Sequence, residues 1–307
     1  MPQETDNRQS PSAGYVYAIA AAGFWAVSGT LSKSLFIAGT TPFELVQLRT
    51  TIAAAVLFIW LIIRSPSALR IRRSDLLYFL LLGITLAVSQ VTYLYAISRI
   101  QVAAAILLQY QAPVFIALYA VLFSHKRLSV PVVVAIMAAV AGCYLVSGVY
   151  GHHITGFDRA GLFAGLGSAL TFAVYSVKSE YGMQRYRPLS VVFYALLFAA
   201  VFWNIVELPF SAFAQVQGTT AWLKIGFIGV FGTIIPFVFY NTGINRIGAI
   251  RAGTASTMEP VFAGVLAWSF LGEVLAPPQM VGAMLVIAAV ILLQLERQQV
   301  KTAADPS

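Results

Sequence analysis

Residues 245–275 read NRIGAIRAGTASTMEPVFAGVLAWSFLGEVL, and residues 98–128 read SRIQVAAAILLQYQAPVFIALYAVLFSHKRL. Shifted by 147 positions, the two segments bring Arg246-Ile247 onto Arg99-Ile100, Pro260-Val261-Phe262 onto Pro113-Val114-Phe115, and Leu275 onto Leu128. The same shift runs on without a gap to Pro131 and Pro278. Backwards along the chain it pairs Tyr93 with Tyr240, Ala26-Val27 with Ala173-Val174, and Gly14 with Gly161. Any one match is weak, but a constant offset across half a chain is the mark of an internal repeat.

Both segments sit in a chain that is 59% hydrophobic and 10% charged, with a mean hydropathy of +0.82. Soluble domains carry about 25% charged residues. This chain lacks the polar side chains to cover its own surface, so lipid is its expected solvent. A helix crosses a bilayer with about 20 mostly apolar residues. Runs of that kind occupy roughly 15–37, 42–63, 75–97, 101–123, 130–149, 158–178, 189–207, 221–242, 250–271 and 278–295. Backbone facing lipid must satisfy its own hydrogen bonds, and barrel-type alternation is missing from the sequence, so the spans read as helices.

The expected fold is therefore an all-α integral membrane protein of ten transmembrane helices. Residues 15–149 form the first five-helix repeat and 158–295 the second, with tails at 1–14 and 296–307. Five spans per repeat is an odd number, so the second repeat is expected upside down relative to the first. Inverted repeats of this kind place a substrate site near the midplane where the halves meet.

Net charge is +8, and the basic residues cluster in short segments between apolar runs. With the N-terminus in the cytoplasm, the opposite side receives only Lys33, Arg49, Arg99, Arg159 and Lys224. That bias sets both termini inside. No basic and aromatic interleaving tracks a nucleic-acid strand. The single cysteine, Cys143, allows no disulfide within the chain. The sequence offers no P-loop for ATP and no helical H-E-x-x-H. His125, His152 and His153 are the only histidines; His152-His153 with Asp158 form a weak metal candidate, and neither a metal nor a cofactor is expected.

The pattern MEPVFAGVLAWSFLGE followed by Gly282 resembles the second-repeat signature of the EamA-type members of the drug/metabolite transporter superfamily. FWAVSGTLSK at 24–33 resembles their first span, and QAPVFIALYAVLFSHKRL the first-repeat equivalent. Members of that family end the fourth span with a glycine–glutamate pair. Here Gly272-Glu273 keeps it in the second repeat, while His125-Lys126 stands in the first. The resemblance implies a central cavity lined mainly by spans 1, 3, 4, 6, 8 and 9, and export by alternating access in a bacterial inner membrane. Within the family the chain most resembles the YddG-type exporters of aromatic and other amino acids.

Glu259 precedes Pro260 inside an apolar run. Proline removes a helix hydrogen bond and disfavours α geometry at the residue before it, so bends are expected at Pro113 and Pro260. The proline recurs in both repeats and the acid does not. A carboxyl at membrane depth is a functional candidate by default. Three roles fit Glu259: coupling transport to protons, contact with a cationic part of the substrate, or satisfying backbone groups freed at the bend.

Gln90 and Tyr93 share a helical face on span 3, and Tyr240 is the repeat partner of Tyr93. Asn241, Gln109, Trp25, Ser28 and Tyr175 complete the candidate substrate-binding set, each weighed against an ordinary role in helix packing. Lys33 and Lys178 read as snorkelling to the interfaces, Trp203 as an interface anchor, and Glu44 and Arg49 as structural. The leading expectation is a monomeric secondary transporter, not an enzyme, that exports neutral and aromatic amino acids. Export of cationic or lipophilic drugs is the alternative within transport. A lipid-acting membrane enzyme and a ligand-binding sensor are the alternatives outside it.

Overall fold

A computed structural model describes residues 11–112, 114–115, 130–146, 158–208 and 211–304. Among these the regular structure is helical. The helices are α1 (Pro11–Ile37), α2 (Pro42–Arg64), α3 (Leu76–Arg99), α4 (Val102–Gln109), α5 (Val130–Val146) and α6 (Arg159–Gly182). They continue with α7 (Pro188–Val206), α8 (Thr219–Gly229), α9 (Ile235–Ser256), α10 (Glu259–Leu271) and α11 (Pro277–Ala304). A π-helical turn, Val230–Ile234, joins α8 to α9. Six described helices are long and apolar enough to cross a membrane, one of them continuous through Thr219–Gly248. Val133–Val146, Glu259–Leu271 and Pro277–Leu292 are shorter and apolar.

Local chemistry sets the ends of these helices. Thr41 and Glu44 form a reciprocal capping box at the start of α2, with Pro42 in the first turn, so Glu44 is a cap residue. Gly272 adopts a left-handed conformation (φ 67°) at the end of α10 and ends the helix there. Gly248 (φ 81°, ψ 157°) interrupts α9, a corner no L-residue takes cheaply.

Helix packing is reciprocal between the two halves. α1 lies against α9 and α3 against α6, which are equivalent pairs under the 147-residue shift. α5 packs on α11 and α2 on α7, each helix on its own counterpart, while α4 packs on α10 across the two repeats. The glycines repeat the relation in detail. A Cβ on Gly14 would sit 2.5 Å from Ile247 and 3.2 Å from Arg246, while one on Gly161 would meet Ile100 and Arg99 at 2.9 Å each. Gly142 and Gly282 bring α5 and α11 into backbone contact, a Cβ on either lying 2.8 Å from the other's carbonyl oxygen. Small residues at helix crossings let membrane helices pack without a hydrophobic driving force between them.

Several expectations are revised. Span 4 is not one helix: α4 ends at Gln109, and Tyr110-Gln111 form a turn before Ala112. Span 9 divides at the equivalent place, Thr257-Met258, between α9 and α10. Pro260 occupies the first turn of α10, where a missing N–H costs little, so the break falls just before it. Pro113 lies outside the described residues, as do His125, Lys126, His152 and His153. Trp203 is buried against Phe43 and Phe202 and is no interface anchor. Lys33 is half-buried, and its Nζ donates to the carbonyls of Ile97 (2.8 Å) and Ile100 (3.0 Å) at the end of α3. Charge there complements the α3 terminus. Glu273 acts across the repeats, its Oε2 accepting the Val102 N–H (2.9 Å) at the start of α4.

Candidate functional site

The break between α9 and α10 leaves Glu259 at the first position of α10, 3% exposed. Its carboxylate faces tyrosine hydroxyls contributed by the other half of the chain. The Tyr110 hydroxyl lies 3.0 Å from Oε2, and Tyr93 donates a long hydrogen bond of 3.5 Å to Oε1. Tyr110 stands in the turn that ends α4, the repeat equivalent of the break beside Glu259. The two discontinuities thus meet: each interrupts its helix, and together they set a phenol against a carboxylate.

That contact is under-supplied. Tyr110 has one hydroxyl proton and two acceptors, Glu259 and the Ser256 carbonyl at 2.5 Å. A carboxylate offers about four acceptor positions, and a 3.5 Å contact contributes little. Among the described residues the ion pair formed is Arg99 with Asp158, remote in sequence from Glu259. Among the described residues a charged Glu259 therefore has no cation as its partner.

The sequence-predicted residues fall into three groups. Trp25, Tyr175 and Tyr240 converge with Phe172 and Phe237 in one buried aromatic cluster. In it Trp25 and Tyr240 centroids are 5.3 Å apart, Phe172 and Tyr240 5.8 Å, and Tyr175 and Phe237 5.7 Å. Asn241 belongs to this group, its amide donating to the Tyr175 hydroxyl at 3.2 Å and to the Phe237 carbonyl at 2.8 Å. Tyr110 and Tyr93 pack together against a buried apolar cluster that includes Ala26, the residue after Trp25, which places Glu259 and its two tyrosines beside this group.

Gln90 and Tyr93 form the second group, one turn apart on α3. Gln90 is 5% exposed, and neither atom of its amide has a partner. A buried, unmatched amide is costly in a finished core, and it is available to a ligand or water. Ser28 forms the third group. It presses on the π-turn, where a Cβ on Gly232 would lie 2.4 Å from the Ser28 hydroxyl oxygen. Its surroundings are those of a helix crossing. Gln109 is half-buried as the last residue of α4.

Sequence reasoning passed over Tyr110 and set Arg49 aside. Arg49 is 3% exposed within α2. Its Nε donates to Thr233 Oγ1 (3.0 Å) and its Nη2 to the Gly232 carbonyl (2.9 Å), both in the π-turn. Thr233 spends its own proton on the Ile228 carbonyl five residues back, which frees its oxygen for Arg49. The available signal was a lone arginine inside an apolar run, the basic counterpart of Glu259.

On the face that carries the arginine-rich loops, Arg70, Ile71, Arg72, Arg185 and Tyr186 line an open cleft of about 590 Å³. Tyr186 ties its walls together, donating to Asp75 (2.6 Å) and accepting the Arg72 N–H (3.2 Å). Burial, then the Asp75 carboxylate, hold the Tyr186 hydroxyl above the usual phenol range.

Comparison with known proteins supplies the family. An uncharacterized inner membrane transporter of Salmonella typhimurium, YicL, is 26% identical over 95% of this chain and 98% of its own length. The threonine/homoserine exporter RhtA of Escherichia coli is 25% identical over 85% of this chain and 84% of its own. The pseudopaline exporter CntI of Pseudomonas aeruginosa is 26% identical over 91% of this chain and 95% of its own. A crystal structure superposes with a TM-score of 0.63 at 20% identity, covering 95% of this chain and all of the other, and at that identity it speaks for the fold alone. The model of the EamA-like transporter family matches twice, at residues 12–148 and 159–295, so the two matches repeat the 147-residue offset. The chain is a multi-pass membrane protein and belongs to the EamA-like transporter family.

Proposed function

We propose that this protein is a secondary transporter that exports neutral amino acids, aromatic ones among them, from the cytoplasm across a bacterial inner membrane. It works as a monomer of ten transmembrane helices, arranged as two inverted five-helix repeats, with both termini cytoplasmic. The substrate site lies at Glu259, Tyr110, Tyr93 and Gln90, with the aromatic cluster of Trp25, Tyr175 and Tyr240 beside it. Alternating access comes from the two repeats rocking about that site, with the discontinuities in spans 4 and 9 as the parts that change shape.

One observation carries this reading. A buried carboxylate at one helix break, supplied by the second repeat, meets a tyrosine at the equivalent break of the first. Broken helices facing each other between repeats are how many transporters build a midplane site. Ionisable groups at that depth mark substrate or ion paths. The related exporters named above support export of small metabolites. The aromatic wall beside Glu259 supports a substrate with an apolar or ring-bearing side chain.

Cationic drugs are the second reading, and the same uncompensated carboxylate favours it. Counterflow in proteoliposomes separates the two. Vesicles are loaded with unlabelled phenylalanine, tryptophan, threonine, homoserine or a lipophilic cation, and entry of the matching labelled compound is followed. Exchange of the amino acids supports the proposal, exchange of the cation alone replaces it with drug export, and no flux through folded protein overturns transport of either class.

A further inference from the structure

Two ionisable side chains of opposite type are buried in this bundle, and neither has a counter-ion among the described residues. Glu259 enters from α10 and Arg49 from α2, and both are 3% exposed. Arg49 spends two of its five N–H groups on neutral acceptors in the π-turn. Glu259 shares one phenol proton and accepts one long bond. Burying a charge without a partner is among the most expensive arrangements a protein can hold. Pairing the two directly would relieve both, yet no ion pair joins them.

Tyr93 stands between. Its hydroxyl is 3.5 Å from Glu259, and a short chain of packing contacts leads from it to Arg49. Neighbouring contacts agree with that placement. Gly232, which accepts from Arg49, packs against Ser28, and the next residue, Gly29, leaves only 3.1 Å between an added Cβ and the Tyr93 hydroxyl. One turn before Tyr93 on the same helix, Gln90 carries a buried amide with no partner at either atom. A carboxylate thus lies against this phenol, an unmatched amide stands one turn before it on α3, and a guanidinium lies across the neighbouring helix crossing.

We propose that Arg49 and Glu259 are the two ends of a zwitterion clamp. The substrate's carboxylate pairs with Arg49 and its ammonium with Glu259, while Tyr93 and Gln90 bind between them. This rests on the reading of the Glu259 centre as the transport site, and it narrows the substrate to molecules carrying both charges of an α-amino acid. A planar guanidinium suits a carboxylate because it can donate two parallel hydrogen bonds. The clamp also gives selectivity: an analogue lacking either charge leaves a buried ion unpaired, which a site of this type rejects strongly.

The test uses full-length protein in proteoliposomes, with labelled phenylalanine in counterflow. Competitors are unlabelled phenylalanine, phenylalaninamide, which has no carboxylate, and 3-phenylpropionate, which has no ammonium. The clamp predicts that both analogues compete at least about 10-fold more weakly than phenylalanine, each missing contact costing on the order of one charged hydrogen bond. In Arg49→Gln the preference over phenylalaninamide is lost and the preference over 3-phenylpropionate is kept. Glu259→Gln shows the converse, and Arg49→Lys retains part of the carboxylate preference.

A merely structural role for Arg49 would lower flux without changing these ratios. Should Arg49→Gln fail to fold, the wild-type ratios and Arg49→Lys still decide. If the amide competes as well as phenylalanine in wild-type protein, the clamp is wrong and amino-acid transport stands. If neither phenylalanine nor threonine exchanges at all, the underlying transport reading fails and the clamp goes with it.

Discussion

Tyr110 is the residue on which the proposed site turns, because its hydroxyl makes the shorter of the two tyrosine contacts with Glu259, at 3.0 Å against 3.5 Å for Tyr93. A hydrogen bond to a charged group contributes about 1.5–3 kcal/mol. Tyr110→Phe is therefore expected to lower amino-acid exchange roughly 10- to 100-fold, taking 1.4 kcal/mol per tenfold change. Tyr93→Phe should cost less, since its bond at 3.5 Å is at the limit of useful geometry. Initial rates of counterflow in proteoliposomes check the order, and equal losses in the two variants would contradict it. Sequence reading found Glu259, Tyr93 and Gln90 because polar groups inside apolar runs stand out. It missed Tyr110 because a tyrosine in such a run is indistinguishable from packing until the backbone breaks beside it. Arg49 was set aside because span 2 was expected away from the cavity. Its partners are created by a π-turn, and no hydrophobic periodicity announces one.

At the scale of the helices, hydrocarbon itself made most of the architecture legible. A span needs a fixed apolar length and must satisfy its own backbone, so helices could be located from composition alone. The breaks were legible only in part. Proline marks a discontinuity, yet the turns fall at Tyr110-Gln111 and Thr257-Met258, before the prolines, because proline fits a helix's first turn. Glycine contacts give this scale its prediction. Gly14→Ala and Gly161→Ala each force a methyl group to within 2.5 or 2.9 Å of α9 or α3. Overpacking of this kind costs about 1–3 kcal/mol. Gly23→Ala meets nothing within 4 Å in the middle of α1. It should be neutral or stabilise by up to about 1 kcal/mol. Thermal unfolding of the purified variants distinguishes them, and an unchanged transition for both Gly14→Ala and Gly161→Ala would refute the reciprocal crossing.

At the scale of the whole molecule, the proposed inversion of the second repeat would put equivalent loops on opposite sides. The loop at Gly39 joins the first two helices of the first repeat, and the loop at Gln184 joins the corresponding helices of the second. With Cys143 replaced by serine, Gly39→Cys is expected to react with a membrane-impermeant thiol reagent added to intact cells. Gln184→Cys is expected to react only after the membrane is opened. Labelling of both from outside would remove the inversion and the alternating-access scheme with it.

The central claim is that a single site between the repeats is reached from each side in turn. Its most direct measurement is the reactivity of Gln90→Cys, again on a Cys143→Ser background, with the impermeant reagent applied to one face of oriented vesicles at a time. The account predicts labelling from both faces, with phenylalanine slowing it from each. Labelling from neither face, or from one face with no effect of amino acid, would contradict it.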